Sequence, residues 1–212
     1  ARNMMTDSGE TENIGAIKVS SKAGQEVELI DIKKSKFSGK LLIIHDPSLV
    51  KVGTTSNLGQ NGMTLSEIVS KYKAAAGVNA GGFADAKLTG TGGKPTGILM
   101  EDGELKYCED KNKKFQIVGL NRQNILVVSG GMNLKQVEEA GIRDCISFGP
   151  PLVVNGKGLI KSGNGGWGIQ PRTAIGQRKD GSILMLVIDG RQTGSVGASL
   201  KDIQNIMLEY DA

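Results

Sequence analysis

Residues 171–193 read P-R-T-A-I-G-Q-R-K-D-G-S-I-L-M-L-V-I-D-G-R-Q-T, and this stretch decides the fold. It predicts two strands, 173–177 and 183–188, joined at a tight turn. An Asp180-Gly181 pair between two apolar runs favours a hairpin, because glycine accepts a positive φ without a side-chain clash. The run I-L-M-L-V-I is almost continuously apolar, which indicates a strand buried on both faces.

The predicted hairpin would bring Arg172, at the start of one arm, close to Asp189, Gly190 and Arg191 at the end of the other. A forked guanidinium can pair with a phosphate or carboxylate of a ligand. Asp189 follows six apolar residues, where burial would favour the protonated form that a general acid needs. The alternative is a structural ion pair between Arg172 and Asp189, which these residues alone favour slightly.

The composition describes a globular chain of 212 residues, long enough for one domain with a sizeable core. Glycine is unusually frequent, at 31 residues, and occurs mainly between apolar runs, where it permits tight turns and a close approach of the backbone to a ligand. Aromatic residues make up only 4%, which argues against a stacking platform for bases or sugar rings. The net charge of +4 is spread along the chain, so a solvated surface is favoured over a nucleic-acid face.

Cysteine and histidine give little support to a metal site. Cys108 and Cys145 lack metal-ligand spacing, and they are compatible with one disulfide or with reduced, partly buried thiols. The single histidine, His45, has no second histidine or cysteine pair to form a zinc site or a catalytic triad. No apolar run reaches the 18 residues of a membrane span, so the chain would meet a membrane only through a segment outside this sequence.

The remaining patterns alternate short strands and tight turns with two or three helices. Capping signals predict helices after Thr64, after Asn133 and after Ser199. These patterns predict a single α+β domain with a mixed, mainly antiparallel sheet. Residues 1–15 are polar and lack periodicity, so we expect a loosely structured leader before a domain that spans 16–212.

Two glycine patterns resemble nucleotide-binding motifs without their context. Residues 163–168 fit G-x-G-x-x-G, but Gln170-Pro171 follows where a helix is required. The loop 90–94 resembles a phosphate-binding loop, but Pro95 replaces the required serine or threonine. We therefore expect no nucleotide cofactor.

The stretch 74–85 predicts a short buried strand that ends at Asn79 and breaks into Gly81 and Gly82. Bare backbone amides at such a break suit anions or hydroxyls. Asn79 adds a donor and an acceptor, and Asp85 adds a carboxylate. A tight turn capped by Asn79 is an equally good interpretation of the turn chemistry.

Several of these stretches together resemble the phosphodiester glycosidase domain family, and most closely its bacterial branch linked to exopolysaccharides. The resemblance extends from about Ile17 to the C-terminus. It rests on V-N-A-G-G-F-A-D (78–85), K-P-T-G (94–97), S-F-G-P-P-L-V-V-N-G (147–156), P-R-T-A-I-G (171–176), V-I-D-G-R (187–191) and G-A-S-L-K-D-I (197–203).

The resemblance implies hydrolysis of the bond between a sugar's anomeric carbon and a phosphodiester oxygen, in surface polysaccharide or related glycans. It implies catalytic roles for three residues: Arg172 on the phosphate, Thr173 assisting it, and Asp189 as acid/base or orienting group. It implies substrate binding by the strand-end and loop residues Asn79, Gly81, Gly82, Asp85, Thr96, Gly190 and Arg191. A non-catalytic carbohydrate- or phosphate-binding module of the same fold is the alternative.

The family's next segment, a strand carrying N-L-D-G-G-S, has no counterpart in this sequence, which ends at Ala212. We therefore expect that this sequence lacks a C-terminal strand of the domain, because a piece is missing or was clipped rather than because of a natural stop. The resemblance also implies an extracellular or cell-surface location. The sequence leaves the oligomeric state open.

Overall fold

The computed structural model describes residues 17–20, 26–84 and 93–212. It is a single α+β domain with three helices and antiparallel sheets, which confirms the predicted fold class. The predicted leader, residues 1–15, lies outside the described residues, as does Asp85. The described residues divide into two compact units, the first built from those within 17–50, 75–78 and 152–212 and the second from those within 51–74 and 79–151.

The elements of the first unit form a five-stranded sheet, a two-stranded ribbon, one α-helix and a short 3-10 helix, Pro47–Leu49. They are β1 (Ile17–Ser20), β2 (Glu26–Lys33), β3 (Ser38–Ile44), β9 (Val153–Val154), β10 (Lys157–Gly158), β11 (Arg172–Gln177), β12 (Ile183–Ile188) and α3 (Leu200–Glu209). The strand order in the sheet is β1-β2-β3-β12-β11, and each described neighbour pair is antiparallel.

The predicted hairpin is β11 and β12, and its turn forms where the sequence indicates. Gln177 pairs with Ile183, and Gly181 in the turn has a φ of 91°. Strand β12 lies between β3 and β11, so both of its edges are hydrogen-bonded. Because its side chains are also buried on both faces, an almost continuously apolar sequence is what this central position requires.

Helix α3 packs on one face of this sheet. Its buried side chains include Ile203, Ile206 and Met207, which contact Leu184, Leu186 and other residues of the sheet. The helix begins with a capping box in which Ser199 accepts from the Asp202 amide and Asp202 accepts from the Ser199 amide.

The second unit has a five-stranded sheet of its own, in the order β5-β4-β8-β6-β7. Its elements are α1 (Leu65–Tyr72), β4 (Ile98–Glu101), β5 (Glu104–Cys108), β6 (Phe115–Asn121), β7 (Leu126–Met132), α2 (Leu134–Glu139) and β8 (Ile142–Ser147). Helix α2 buries Leu134 and Val137 against the sheet residues Ile98, Ile117 and Cys145. The capping boxes predicted at Thr64 and Asn133 are present.

One predicted strand is wrong. The stretch 74–79, which ends at Asn79, has no regular structure, and its residues are partly or fully exposed rather than buried. The apolar run A-A-A-G-V therefore connects elements without pairing to a sheet. Within the described residues, no helix combines the length and the apolar character needed to cross a bilayer.

Candidate functional site

The hairpin places Arg172 and Asp189 at the same end of the first unit's sheet. Arg172 pairs in register with Ile188, the residue before Asp189. The Asp189 amide donates to the Ser38 carbonyl at 2.9 Å and so continues the hydrogen bonding between β12 and β3 by one residue. The strand ends of β3, β11 and β12 therefore form one rim.

Strand alternation puts Arg172 and Thr173 on opposite faces of the sheet. Arg172 shares its face with Ala174 and Gly176, and that face packs against α3, because Ala174 joins the α3 cluster and a Cβ on Gly176 would lie 2.4 Å from Met207. Thr173 is exposed and pairs with Val187 on the other face. Asp189 continues the alternation after Ile188 and falls on the face of Thr173.

Arg172 does not form the alternative ion pair with Asp189. Its Nε donates to the Ala198 carbonyl at 3.2 Å, and its Nη2 donates to the carbonyls of Trp167 and Gly168 at 3.0 and 2.8 Å. Burial lowers the pKa of this guanidinium. Its Nη1 has no partner among the described residues, so the two N–H groups of this nitrogen are available to contact a ligand.

The Asp189 carboxylate is partly buried and has no hydrogen-bond or ion-pair partner in the described part of the chain. Its backbone, in contrast, is fixed by Ser195, which is 2% exposed. The Ser195 hydroxyl donates to the Asp189 carbonyl at 2.7 Å and accepts from the Ser38 amide at 3.0 Å. Sequence reasoning missed Ser195, because nothing in G-S-V-G distinguishes this serine from an exposed loop residue.

Gly190 and Arg191 shape the loop that follows. A Cβ on Gly190 would lie 2.8 Å from the Pro171 nitrogen and 3.1 Å from the Gly197 Cα, so only glycine fits there without a shift. Arg191 is exposed, adopts a φ of 59°, and donates from Nη2 to Gln170 Oε1 at 2.5 Å. Both residues thus bring the start of β11 and the end of β12 together.

The other predicted residues lie in the second unit. Asn79 is exposed, and Gly81 and Gly82 are partly buried. The Gly82 amide donates to the Ser147 carbonyl at 3.3 Å, whereas the Gly81 amide has no partner among the described residues. The Thr96 amide donates to the Gly82 carbonyl at 3.0 Å, so Gly82 and Thr96 are neighbours.

Cysteine and histidine have structural surroundings. Both cysteines are free, and burial raises the pKa of Cys145 to about 12. His45 contacts Ser182 through Nδ1 and Glu28 through Nε2, each at 3.1 Å. Across residues 17–20, 26–84 and 93–212, no three His, Cys, Asp or Glu residues are arranged to hold a metal ion.

Comparison with solved structures gives the fold a set of neighbours. The first is the zebrafish N-acetylglucosamine-1-phosphodiester alpha-N-acetylglucosaminidase catalytic domain, auto-inhibited by its pro-peptide, with a TM-score of 0.65, 20% identity and coverage of 99% of this chain and 71% of that one. A hypothetical protein from Synechocystis has a TM-score of 0.63 and 12% identity over 95% of this chain and 57% of its own. A Burkholderia pseudomallei K96243 protein whose name describes it as exported has a TM-score of 0.54 and 16% identity over 89% of this chain and 67% of its own. At these identities the likeness is one of fold.

Sequence comparison shows whether the chain belongs to a known family, which fold similarity at these identities does not. No curated protein matches the chain. Residues 72–212, more than half of the chain, match the phosphodiester glycosidase family. The matched region includes the P-R-T-A-I-G and V-I-D-G-R segments of the hairpin and the loop around Gly81 and Gly82. The chain therefore belongs to the phosphodiester glycosidase family.

Proposed function

We propose that this protein hydrolyses the glycosidic bond between a sugar's anomeric carbon and a phosphodiester oxygen, in surface polysaccharide or related glycans. The family match over residues 72–212 carries the proposal, because this family is one of glycosidases. In the reaction, water adds to the anomeric carbon and the bond from that carbon to the phosphate oxygen breaks. The bonding electrons leave with the phosphate, so the products are a free sugar and a phosphomonoester.

Asp189 is the proposed carboxylate for this chemistry. An aspartate without a side-chain partner in the described residues is available to accept the proton of the attacking water or to orient a reacting group. Thr173 lies on the same face of the sheet and would assist. The Ser195 hydroxyl holds the Asp189 carbonyl and the Ser38 carbonyl holds the Asp189 amide, so the backbone that carries this carboxylate is fixed, which favours a positioned catalytic group.

Arg172 is the proposed phosphate-binding residue. Its Nη1 group offers two N–H donors that no described residue uses, and a guanidinium matches the geometry of phosphate oxygens. Asn79, Gly81, Gly82, Asp85, Thr96, Gly190 and Arg191 are proposed to bind the sugar hydroxyls or the phosphate oxygens.

We also propose an extracellular or cell-surface location. Surface polysaccharide lies outside the cell, and one structural neighbour carries a name that describes it as exported.

The test is release of N-acetylglucosamine from the methyl phosphodiester of N-acetyl-α-glucosamine 1-phosphate, chosen because a neighbour of the fold is named for such a bond. We expect turnover by the wild type. Asp189→Asn should lower kcat by at least about a hundredfold, as loss of a general acid or base does. Arg172→Ala should lower kcat/KM by at least about tenfold, because a charge-assisted contact to phosphate is worth about 1.5–3 kcal/mol.

Two exposed residues give matched controls. Asp211→Asn and Arg122→Ala make the same chemical changes at exposed residues that are not among the proposed site residues, and they should leave kcat/KM within about twofold. An Asp189→Asn or Arg172→Ala enzyme that works at the parental rate would show that the corresponding role is wrong. Binding of the diester by wild type without any turnover would favour the alternative, a non-catalytic binding module.

A further inference from the structure

The protein has eight Phe, Tyr and Trp residues, and three of them are exposed. Of its four phenylalanines and one tryptophan, Phe83, Phe148 and Trp167 are 45%, 52% and 51% exposed. The low aromatic content argues against a stacking platform, yet the exposed position of these rings is the reverse of what core packing would give. Trp167 is the only tryptophan in the chain, and its surroundings distinguish it from the two phenylalanines.

The loop that carries Trp167 is fixed at both ends. On its N-terminal side, the Asn164 carbonyl accepts from the Lys201 amide at 3.2 Å, and a Cβ on Gly165 would lie 2.7 Å from Leu200. Both contacts tie the loop to the first turn of α3. On its C-terminal side, Gln170 exchanges two backbone hydrogen bonds with Ala198, at 3.2 and 2.9 Å.

Arg172 completes the support of this loop. Its Nη2 donates to the carbonyls of Trp167 and of Gly168, so the guanidinium holds the backbone on which the indole is mounted. The backbone beneath this half-exposed indole is held at Asn164, at Trp167 and Gly168, and at Gln170, so the loop loses little conformational entropy when a ligand binds.

The position of Arg172 indicates which part of a substrate the indole would meet. A sugar phosphodiester consists, in order, of the sugar, the phosphate and the group on the second ester oxygen. Asp189 and Thr173 share one face of the sheet, whereas Arg172 lies on the other face with the Trp167 loop. A substrate whose anomeric carbon is at Asp189 and whose phosphate is at Arg172 therefore extends toward Trp167 with its leaving group.

We propose that Trp167 is a binding platform for a sugar ring on the leaving-group side of the phosphodiester. The apolar C–H face of a pyranose would stack on the indole, while Nη1 of Arg172 contacts the phosphate. The reaction at this subsite rests on the proposed function. The binding of a sugar ring there is argued separately, from the fixed loop, the exposed indole and the adjacent guanidinium. It makes the enzyme selective for phosphate-linked saccharides over simple alkyl phosphodiesters.

Two diesters of N-acetyl-α-glucosamine 1-phosphate test the proposal, one with methanol and one with the 6-hydroxyl of methyl glucopyranoside. Trp167→Ala should raise KM about tenfold for the glucoside diester, equivalent to about 1.4 kcal/mol, and leave KM for the methyl diester within about twofold. Leu159→Ala is the control, since Leu159 is a 48% exposed apolar residue of the same unit. Its KM values should match the wild type for both diesters.

Indole fluorescence separates the subsite from catalysis. Because Trp167 is the only tryptophan, emission excited at the long-wavelength edge of indole absorption, where the three tyrosines do not absorb, reports this residue alone. We expect the glucoside diester to shift the emission, and inorganic phosphate and the methyl diester to leave it nearly unchanged. If neither diester is hydrolysed but this shift occurs, the proposed function fails and the subsite stands.

Three results would overturn the subsite. One is equal KM changes for the two diesters in Trp167→Ala, or the same values in Trp167→Ala and Leu159→Ala. Another is an emission spectrum that saturating glucoside diester does not alter. The third is a change of oligomeric state in Trp167→Ala by analytical ultracentrifugation, which would assign the exposed indole to an interface between chains. Thermal unfolding and the milder Trp167→Phe variant exclude a folding defect as the cause.

Discussion

Replacement of Ser195 by alanine should both destabilise the fold and disturb the candidate site. The Ser195 hydroxyl satisfies two backbone groups, the Ser38 amide at 3.0 Å and the Asp189 carbonyl at 2.7 Å, and the residue is 2% exposed. Each buried group left without a partner costs about 1–3 kcal/mol, so the two together predict about 2–6 kcal/mol. Since single substitutions rarely cost more than about 4–5 kcal/mol, we expect a loss of about 2–4 kcal/mol.

Urea unfolding measures this loss. The midpoint should fall by about 1–2 M if the slope is about 2 kcal/mol/M and is unchanged by the substitution. Ser162→Ala is the matched control, because Ser162 is exposed and has no hydrogen-bond partner in the described residues, and it should change stability by less than about 0.5 kcal/mol. If the urea midpoint of Ser195→Ala equals that of the control, the claim that these two hydrogen bonds stabilise the fold is refuted.

The same variant separates support of the fold from positioning of Asp189. If Ser195 positions the catalytic carboxylate, the Ser195→Ala enzyme at low temperature, where it is fully folded, should show a lower kcat and an almost unchanged KM for the methyl diester. A folded variant with wild-type kcat would limit Ser195 to a structural role.

Two further changes test the packing of each unit. Gly190→Ala should lower the free energy of unfolding in urea by about 1–3 kcal/mol, because its Cβ would lie 2.8 Å from the Pro171 nitrogen. Gly130→Ala is the control, since nothing lies within 4 Å of its Cβ, and it should be almost neutral. Equal urea midpoints for the two variants would contradict the crowding at Gly190. In the second unit, burial raises the pKa of the Cys145 thiol to about 12, whereas the pKa of a cysteine in the unfolded chain is about 8.5. The protonated thiol therefore contributes fully to the free energy of unfolding below a pH of about 8.5, and this contribution is lost as the pH rises toward 12. The unfolding free energy of wild type should therefore fall more steeply above pH 9 than that of Cys145→Ala, and parallel curves would show that the thiol is not protected.

The hairpin was predictable because its signals are local. The Asp180-Gly181 turn fixes the register, and the apolar run of β12 requires a central position in the sheet. The capping boxes are equally local, since each involves residues three apart. The stretch 74–79 is apolar as well, but pairing partners far along the chain decide whether such a run becomes a strand, and here none is present among the described residues.

The site residues themselves stay a prediction, and only part of their geometry follows from the sequence. Alternation along R-T-A-I-G-Q already separates Arg172 from Thr173, once β11 is recognised as a strand. The support of Asp189 by Ser195 was not predictable, because it depends on a loop that returns to β3 and leaves no local pattern. The sequence also does not show that Arg172 donates three hydrogen bonds to backbone carbonyls instead of forming an ion pair with Asp189.

That use of Arg172 explains why this position suits arginine and no other cation. Three carbonyls, those of Trp167, Gly168 and Ala198, take up Nε and Nη2, and two further N–H groups remain on Nη1. A lysine has three N–H donors on a single nitrogen, so a lysine that satisfied the three carbonyls would have no donor left for the proposed phosphate contact. A structural clamp and a phosphate contact therefore do not compete at Arg172, since each uses a different part of one planar group. The Arg172 side chain consequently fixes the position of the Trp167 loop relative to the proposed phosphate contact.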